Sequence, residues 1–180
     1  MHDPIPWADV PPPVPVASVW TPAEGVWDLV LLGPWFSCWL HWSGRRSLPC
    51  LAEDCPTARH RQPVRWQAYA PAALAVWANA ERKSVDRWKP VVLPCGLECA
   101  NDLLPFLTKF PGPAIRLTKK GNVKAWTWTI GKVTRSIHGL PAAFDPRPTL
   151  YRLWGVRPPE EPAQAAPLPA PDLTTEQPID

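Results

Sequence analysis

Proline limits what this chain can become more than any other residue. There are 27 in 180 residues, with seven in residues 1–22 and seven in residues 156–180. Proline has no backbone N–H and a fixed φ, so a segment rich in it satisfies neither a helix nor a sheet ladder. Ends of this kind also bury too little apolar surface to offset chain entropy. The sequence therefore predicts a disordered Pro-rich arm over 1–22, one folded domain over 23–155 and a disordered, acidic, Pro-rich tail over 156–180.

Inside the domain the apolar runs are short. GVWDLVLL (25–32) and WFSCWLHW (35–42) are separated by Gly33-Pro34, and their Trp, Val and Phe content favours strands. On the second run, alternation puts Phe36, Cys38, Leu40 and Trp42 on one face and Trp35, Ser37, Trp39 and His41 on the other. VRWQAYA (64–70) reads as a further strand, with Val64, Trp66 and Ala68 inward and Arg65, Gln67 and Tyr69 outward. Residues 72–93 fit either an Ala-rich helix followed by a strand or a long hairpin turning at Arg82-Lys83-Ser84. Trp77, Val85, Trp88, Val91, Val92 and Leu93 favour the hairpin. LECANDLL has helical spacing and is ended or kinked by Pro105. Residues 139–155 read as an irregular arm with Leu150, Leu153 and Trp154 packed down. Five or six short strands and one short helix predict a mostly β fold: a small, partly open barrel like the five-stranded oligonucleotide-binding (OB) barrel, with an all-β sandwich as the other solution.

The most basic stretch is Lys109–Arg135, which holds seven Lys and Arg, and no acid occurs between Asp102 and Asp145. Thr118–Val123 (TKKGNV) has turn chemistry and lies between the alternating runs AIRLT and VKAWTWTIGKVT. Lys124, Trp126, Trp128, Ile130 and Lys132 share one face of the second run. A basic hairpin with flat rings suits a flexible polyanion: Arg116, Lys119, Lys120, Lys124 and Lys132 would meet phosphates while Trp126 and Trp128 stack on unpaired bases. Arg65, Tyr69, Arg87, Trp88 and Lys89 form a second group of the same chemistry. The plainer alternative makes the two rings core and the lysines a solvated rim. Residues 1–159 carry a net charge of +8 and residues 160–180 a net of −5. A basic body concentrates phosphate polyanions. An acidic tail competes for Lys119, Lys120 and Lys124 or recruits partner proteins.

Cys38, His41, Cys50, Cys55 and His60 fall within 23 residues, in and beside a strand-free insertion over 43–63. Zinc takes four such ligands in a tetrahedron. The preferred set is His41, Cys50, Cys55 and His60, holding one structural zinc, with Cys38 as substitute for His60. The alternative is two incidental thiols in an arginine-rich loop. Cys95 and Cys99 lie one turn apart on the short helix and read as buried thiols.

No Gly-rich phosphate loop, GxSxG elbow or DxD cluster is present, so the expectation is a non-catalytic protein. No run of 18 apolar residues exists, and MHDPIPWADVPPP lacks the regions of a signal peptide. Five cysteines, an odd number, argue for a reducing compartment. The expected location is cytoplasmic.

On WFSCWLHW running into the Cys50–Cys55 loop, on RWQAY and KAWTWTIGK, and on the acidic Pro-rich tail, the chain resembles single-stranded DNA-binding proteins of the OB fold. It is most similar in outline to phage-type versions with a zinc loop. The resemblance implies binding of exposed single strands, DNA ahead of RNA, with little sequence preference. It also implies a role in replication, repair or recombination in a prokaryotic, phage or plasmid setting, with replication or repair proteins as partners of the tail. Self-association is left open. The alternative from another class is a zinc-stabilised protein-interaction module with Pro-rich partner-binding ends.

Overall fold

The computed structural model describes residues 17–42, 47–50, 65–122 and 125–156. Among these residues eight strands form one sheet: β1 (Ser18–Val19), β2 (Gly25–Leu31), β3 (Phe36–Trp42), β4 (Ser47–Pro49), β5 (Arg65–Trp77), β6 (Val85–Cys95), β7 (Ala114–Asn122) and β8 (Ala125–Lys132). Helix α1 (Leu97–Leu103) runs into a 3-10 turn over Leu104–Phe106, and α2 spans Arg147–Trp154. The strand order is β1-β6-β5-β2-β7-β8, with β3 on β5 and β4 on β3. The fold is mostly β, a small open barrel-like sheet that does not close.

β5 is the spine. One edge pairs with β6 along Ala68–Trp77, and the other carries β2 and β3 in tandem, at Ala72–Leu74 and Arg65–Tyr69 respectively. Residues 32–35, with Gly33-Pro34, interrupt what would otherwise be one long strand. Pro71 sits opposite that gap and its carbonyl accepts from the Leu32 N–H at 2.9 Å. Residues of an antiparallel strand direct N–H and C=O to the same neighbour, so the donor that Pro71 lacks would have faced the interruption. A Cβ on Gly33 would lie 3.4 Å from the Pro71 ring, so glycine lets the two segments meet closely. Pro90 and Pro94 follow the same logic on β6. Val92, of the same parity, accepts from Trp20 N–H on the outer edge, and the missing donors face that thinly paired side. These placements make an Ala- and Pro-rich sequence tolerable as strand, and the hairpin over 72–93 is formed.

Both faces of the sheet are covered. On one, Leu29, Leu31, Ala68, Ala70, Ala72, Val91, Leu93, Ile115 and Leu117 pack beneath Cys99, Ala100 and Leu103 of α1. On the other, Leu40, Tyr69 and Val92 lie under Leu150, Tyr151 and Trp154 of α2, while Val30, Ala73, Ala75 and Trp88 lie against Val133, Leu140 and Phe144. The arm over 139–155 is therefore more regular than expected. Pro146 and Pro148 stand at the N-terminus of α2, where a missing N–H is harmless, and Gly155 ends it at φ 67°. Leu153 is exposed, and Tyr151 takes the buried place expected of it. Residues 17–22 belong to the folded unit, since Ala17 and Pro22 are buried and β1 pairs with β6. The insertion over 43–63 contributes a strand, β4, paired with β3.

Candidate nucleic-acid interface and metal loop

The basic hairpin is present as β7 and β8. Its last described pair is Asn122 with Ala125, so Thr118–Asn122 of TKKGNV are paired strand rather than turn. Gly121 lies within the strand opposite Trp126, at φ 114°, a value only glycine takes readily. Trp128 and Ile130, opposite Lys119 and Leu117, pack against the core beneath α1. Lys119 is 6 % exposed; its Nζ donates to the Pro22 carbonyl at 2.7 Å and lies 5.0 Å from the Trp128 ring centroid. Burial lowers its pKa. Lys119 and Trp128 thus serve the interior end of the sheet, next to the edge-to-face pair Trp20–Trp27. Lys120 and Lys132 are exposed. Lys124 and the Trp126 side chain lie outside the described residues.

Arg116 is committed to an ion cluster. Directly opposite it on β2 stands Asp28, 1 % exposed. Arg116 reaches both carboxylate oxygens, at 2.7 and 3.0 Å, and Arg135 reaches Oδ2 at 2.8 Å while stacking 5.0 Å from the Trp77 ring. Burial alone would raise the Asp28 pKa, but the two guanidinium bonds and their charges outweigh it and hold the carboxyl below its usual range.

Tyr69, read from alternation as outward, and Trp88, grouped with the binding residues for its ring, are buried under α2 and the arm. Alternation gives the face a side chain takes, but not whether another element covers that face at that point. Arg65, Arg87 and Lys89 are exposed. Lys89 stands opposite Leu74, and Lys132 opposite Ile115, both members of the core beneath α1. Lys89 and Lys132 therefore project from the same sheet face, and Arg87, two residues from Lys89, shares it. β8 ends the strand order, and beyond the two-residue β1 nothing among the described strands pairs with the outer edge of β6. Arg87 and Lys89 on β6 and Lys132 on β8 thus lie toward opposite ends of the strand order on the face that carries α1, and α1 itself contributes the exposed acids Glu98 and Asp102.

The expected site omitted one group. Trp39 pairs directly with Trp66, and Trp35 meets Trp66 edge to face at 6.4 Å. Trp35 and Trp66 pack on the core, whereas Trp39 is 53 % exposed. Alternation already placed Trp35 and Trp39 together; which of them stays in solvent depends on tertiary packing.

In the metal set, His41 is 1 % exposed and neither ring nitrogen has a hydrogen-bond partner. An orphaned buried imidazole is costly and calls for a ligand or water. His41 pairs with Leu48, and Cys50 follows on the same ribbon, its N–H donating to the Trp39 carbonyl at 2.7 Å. Imidazole and thiolate are zinc donors, so these two residues fit the group. Burial, and then the nearby Cys50, push the thiol of Cys38, the substitute ligand, up to about 11. Cys55 and His60 lie outside the described residues, as do Arg45, Arg46, Arg59 and Arg61. Among the described residues no three His, Cys, Asp or Glu gather as metal ligands do.

Cys95 and Cys99 are both buried on the α1 side of the sheet and hydrogen-bond to each other, which holds Cys95 well above and Cys99 below the ordinary thiol range. Among the described residues no helix is long and apolar enough to cross a membrane. Comparison with protein families, curated proteins and solved structures gives no match.

Proposed function

We propose that this protein binds single-stranded nucleic acid, DNA ahead of RNA, without catalysing a reaction on it. The observation that carries the reading is the set of exposed cations on one face of the unclosed sheet, Arg87 and Lys89 on β6 and Lys132 on β8. A positively charged groove across a small open barrel is the arrangement that tracks a phosphate backbone. The sequence adds Lys124 between β7 and β8, and four arginines, with Glu53 and Asp54, between β3 and β5. Replication, repair or recombination in a prokaryotic, phage or plasmid cytoplasm is the setting this activity fits, with the acidic tail as a competitor for the groove or a partner site.

Titration with oligo-dT at two salt concentrations tests the reading. Affinity should fall steeply with salt as counterions are released. Affinity that is absent at low salt, or indifferent to salt, would overturn it.

One structural zinc, held by His41 and Cys50 with Cys55 and His60, accounts for the unpartnered imidazole. Protein purified without chelator should contain about one zinc per chain, and stripping the metal should lower the melting temperature because structural zinc couples to folding. Elemental analysis that finds no bound metal ends the proposal.

A second reading, a zinc-stabilised protein-interaction module, has support of its own. A cleft of about 550 Å³ is lined by Pro34, Trp35, Phe36, Phe144 and Pro146. Rings and prolines in such a cleft suit an extended Pro-rich peptide. Binding of a Pro-rich peptide without oligo-dT binding would favour this reading.

A further inference from the structure

We infer that the cleft beside α2 is the seat of the chain's own N-terminal arm, residues 1–16, held there as an extended Pro-rich ligand. The inference rests on the second reading's view that this cleft takes a Pro-rich peptide, and is independent of nucleic-acid binding. One segment supplies Pro34, Trp35 and Phe36 to the cleft, and another supplies Phe144 and Pro146. A second cavity of about 320 Å³, lined by Leu32, Phe110 and Leu140, adjoins it through Ala143, which lines both. Rings and prolines of this kind are what receive a polyproline II ligand. The charged lining residues, Asp145 and Arg147, pair with each other at 2.7 Å, so the cleft offers no net charge to a ligand.

The place where the arm meets the domain selects the occupant. Ala17 is buried in the cluster that holds Leu150 and Tyr151, and Phe36 and Phe144 of the cleft pack on that same cluster. The Ala17 carbonyl accepts from Thr149 Oγ1 at 3.5 Å, two residues along α2 from Arg147 of the cleft. The arm thus joins the domain roughly one helix width, about 10 Å, from the cleft. At about 3.1 Å per residue in polyproline II, roughly four residues cover that distance and about twelve remain. Those twelve carry Pro4, Pro6, Pro11 and Pro12 with Ile5, Trp7 and Val10, a stiff apolar ligand that has little entropy to lose. The C-terminal tail is also Pro-rich, but it leaves from the far end of α2 and carries five acids, which a cleft of paired charges does not reward. A tether this short holds the arm at a concentration on the order of 1 mM, so a Pro-rich partner has to displace it.

The test titrates a fluorescein-labelled peptide of residues 1–16 into three full chains, read by anisotropy. They are the wild type, an arm variant carrying I5S, W7S and V10S, and the arm variant with A143E added. Ala143 is exposed and lines both cavities, so a glutamate there fills their junction without removing a buried side chain. The arm variant should bind the peptide. The wild type should bind it about tenfold more weakly, as its tethered arm competes with a peptide of affinity on the order of 0.1 mM. A143E should melt with its parent and lose the peptide. Equal affinity in the wild type and the arm variant overturns the inference, as does an A143E chain that keeps the peptide. If the arm variant binds decaproline but not the arm peptide, the inference alone is overturned; if it binds neither, the peptide-binding reading of the cleft falls with it. A peptide of residues 157–180 that binds where the arm peptide does not gives the cleft to the tail. A dimer in sedimentation that the wild type forms and the arm variant does not gives it to the arm of a second copy. Either result also overturns the inference.

Discussion

Asn in place of Asp28 should lower the unfolding free energy by about 3 kcal/mol, the low end of what breaking a buried ion pair costs. Arg116 is 40 % exposed and partly rehydrates, which is why the low end applies. Asn keeps the shape of the side chain but presents an amide to guanidiniums that held a carboxylate at 2.7 and 2.8 Å. Arg116 and Arg135 are then left facing each other as like charges. The pH dependence has a defined sign. The Asp28 pKa is lowered in the fold, so its contribution is complete above the value of an unfolded aspartate, about 3.9. It is lost as the pH falls through the lower, folded value. Urea midpoints at pH 7 and pH 3 check both parts: D28N should be much less stable than wild type at pH 7, and the gap should narrow at pH 3. Equal midpoints at pH 7 would show that the cluster contributes nothing net.

Trp154→Ala should cost about 3–5 kcal/mol, as truncation of a buried Trp does. Trp154 is 5 % exposed and meets Tyr69 at 5.5 Å and Tyr151 at 6.2 Å, both edge to face. The loss should be concentrated on α2. Leu150 and Tyr151 lose their third partner, and the helix is only eight residues long, too short to persist without packing. Denaturant unfolding gives the magnitude, and limited proteolysis between residues 133 and 156 shows where the structure loosens. A variant that resists protease like the wild type would mean that the arm does not depend on this anchor.

Much of the sheet was legible because strand signals here are local. The ring-rich runs at 25–32 and 35–42, the break at Gly33-Pro34 and the basic hairpin all follow from period-2 alternation and turn residues. The 72–93 segment resisted a single answer because alanine suits a helix by propensity. Packing decides it, since small side chains let β5 be covered closely on both faces. Helix α2 lies in the stretch read as an irregular arm; its eight residues give little periodicity, and Pro146 and Pro148 stand at its first turn, where proline is tolerated. The candidate site was legible in composition more than in placement. Arg65, Arg87, Lys89, Lys120 and Lys132 are exposed as expected of binding cations. Lys119, Tyr69 and Trp88 are taken by the interior, and Arg116 by Asp28. No pattern along the chain distinguishes a lysine that will find a proline carbonyl 97 residues away from one that stays in water. The unpartnered imidazole of His41 is equally a property of the assembled fold.

The position of β2 also dictates an order of assembly. The hairpins β5–β6 and β7–β8 join neighbours along the chain and close small loops. β2 lies between them, pairing Leu29 with Leu74 and Val26 with Thr118, which are 45 and 92 residues apart. Those contacts are repaid only after long loops have closed, so they come late and set the pace of folding. Until β2 inserts, β5 and β7 each present an unpaired edge, the kind of surface through which chains join to one another. The centre of the sheet is thus the last part to form, and the part whose delay exposes a nascent chain to aggregation.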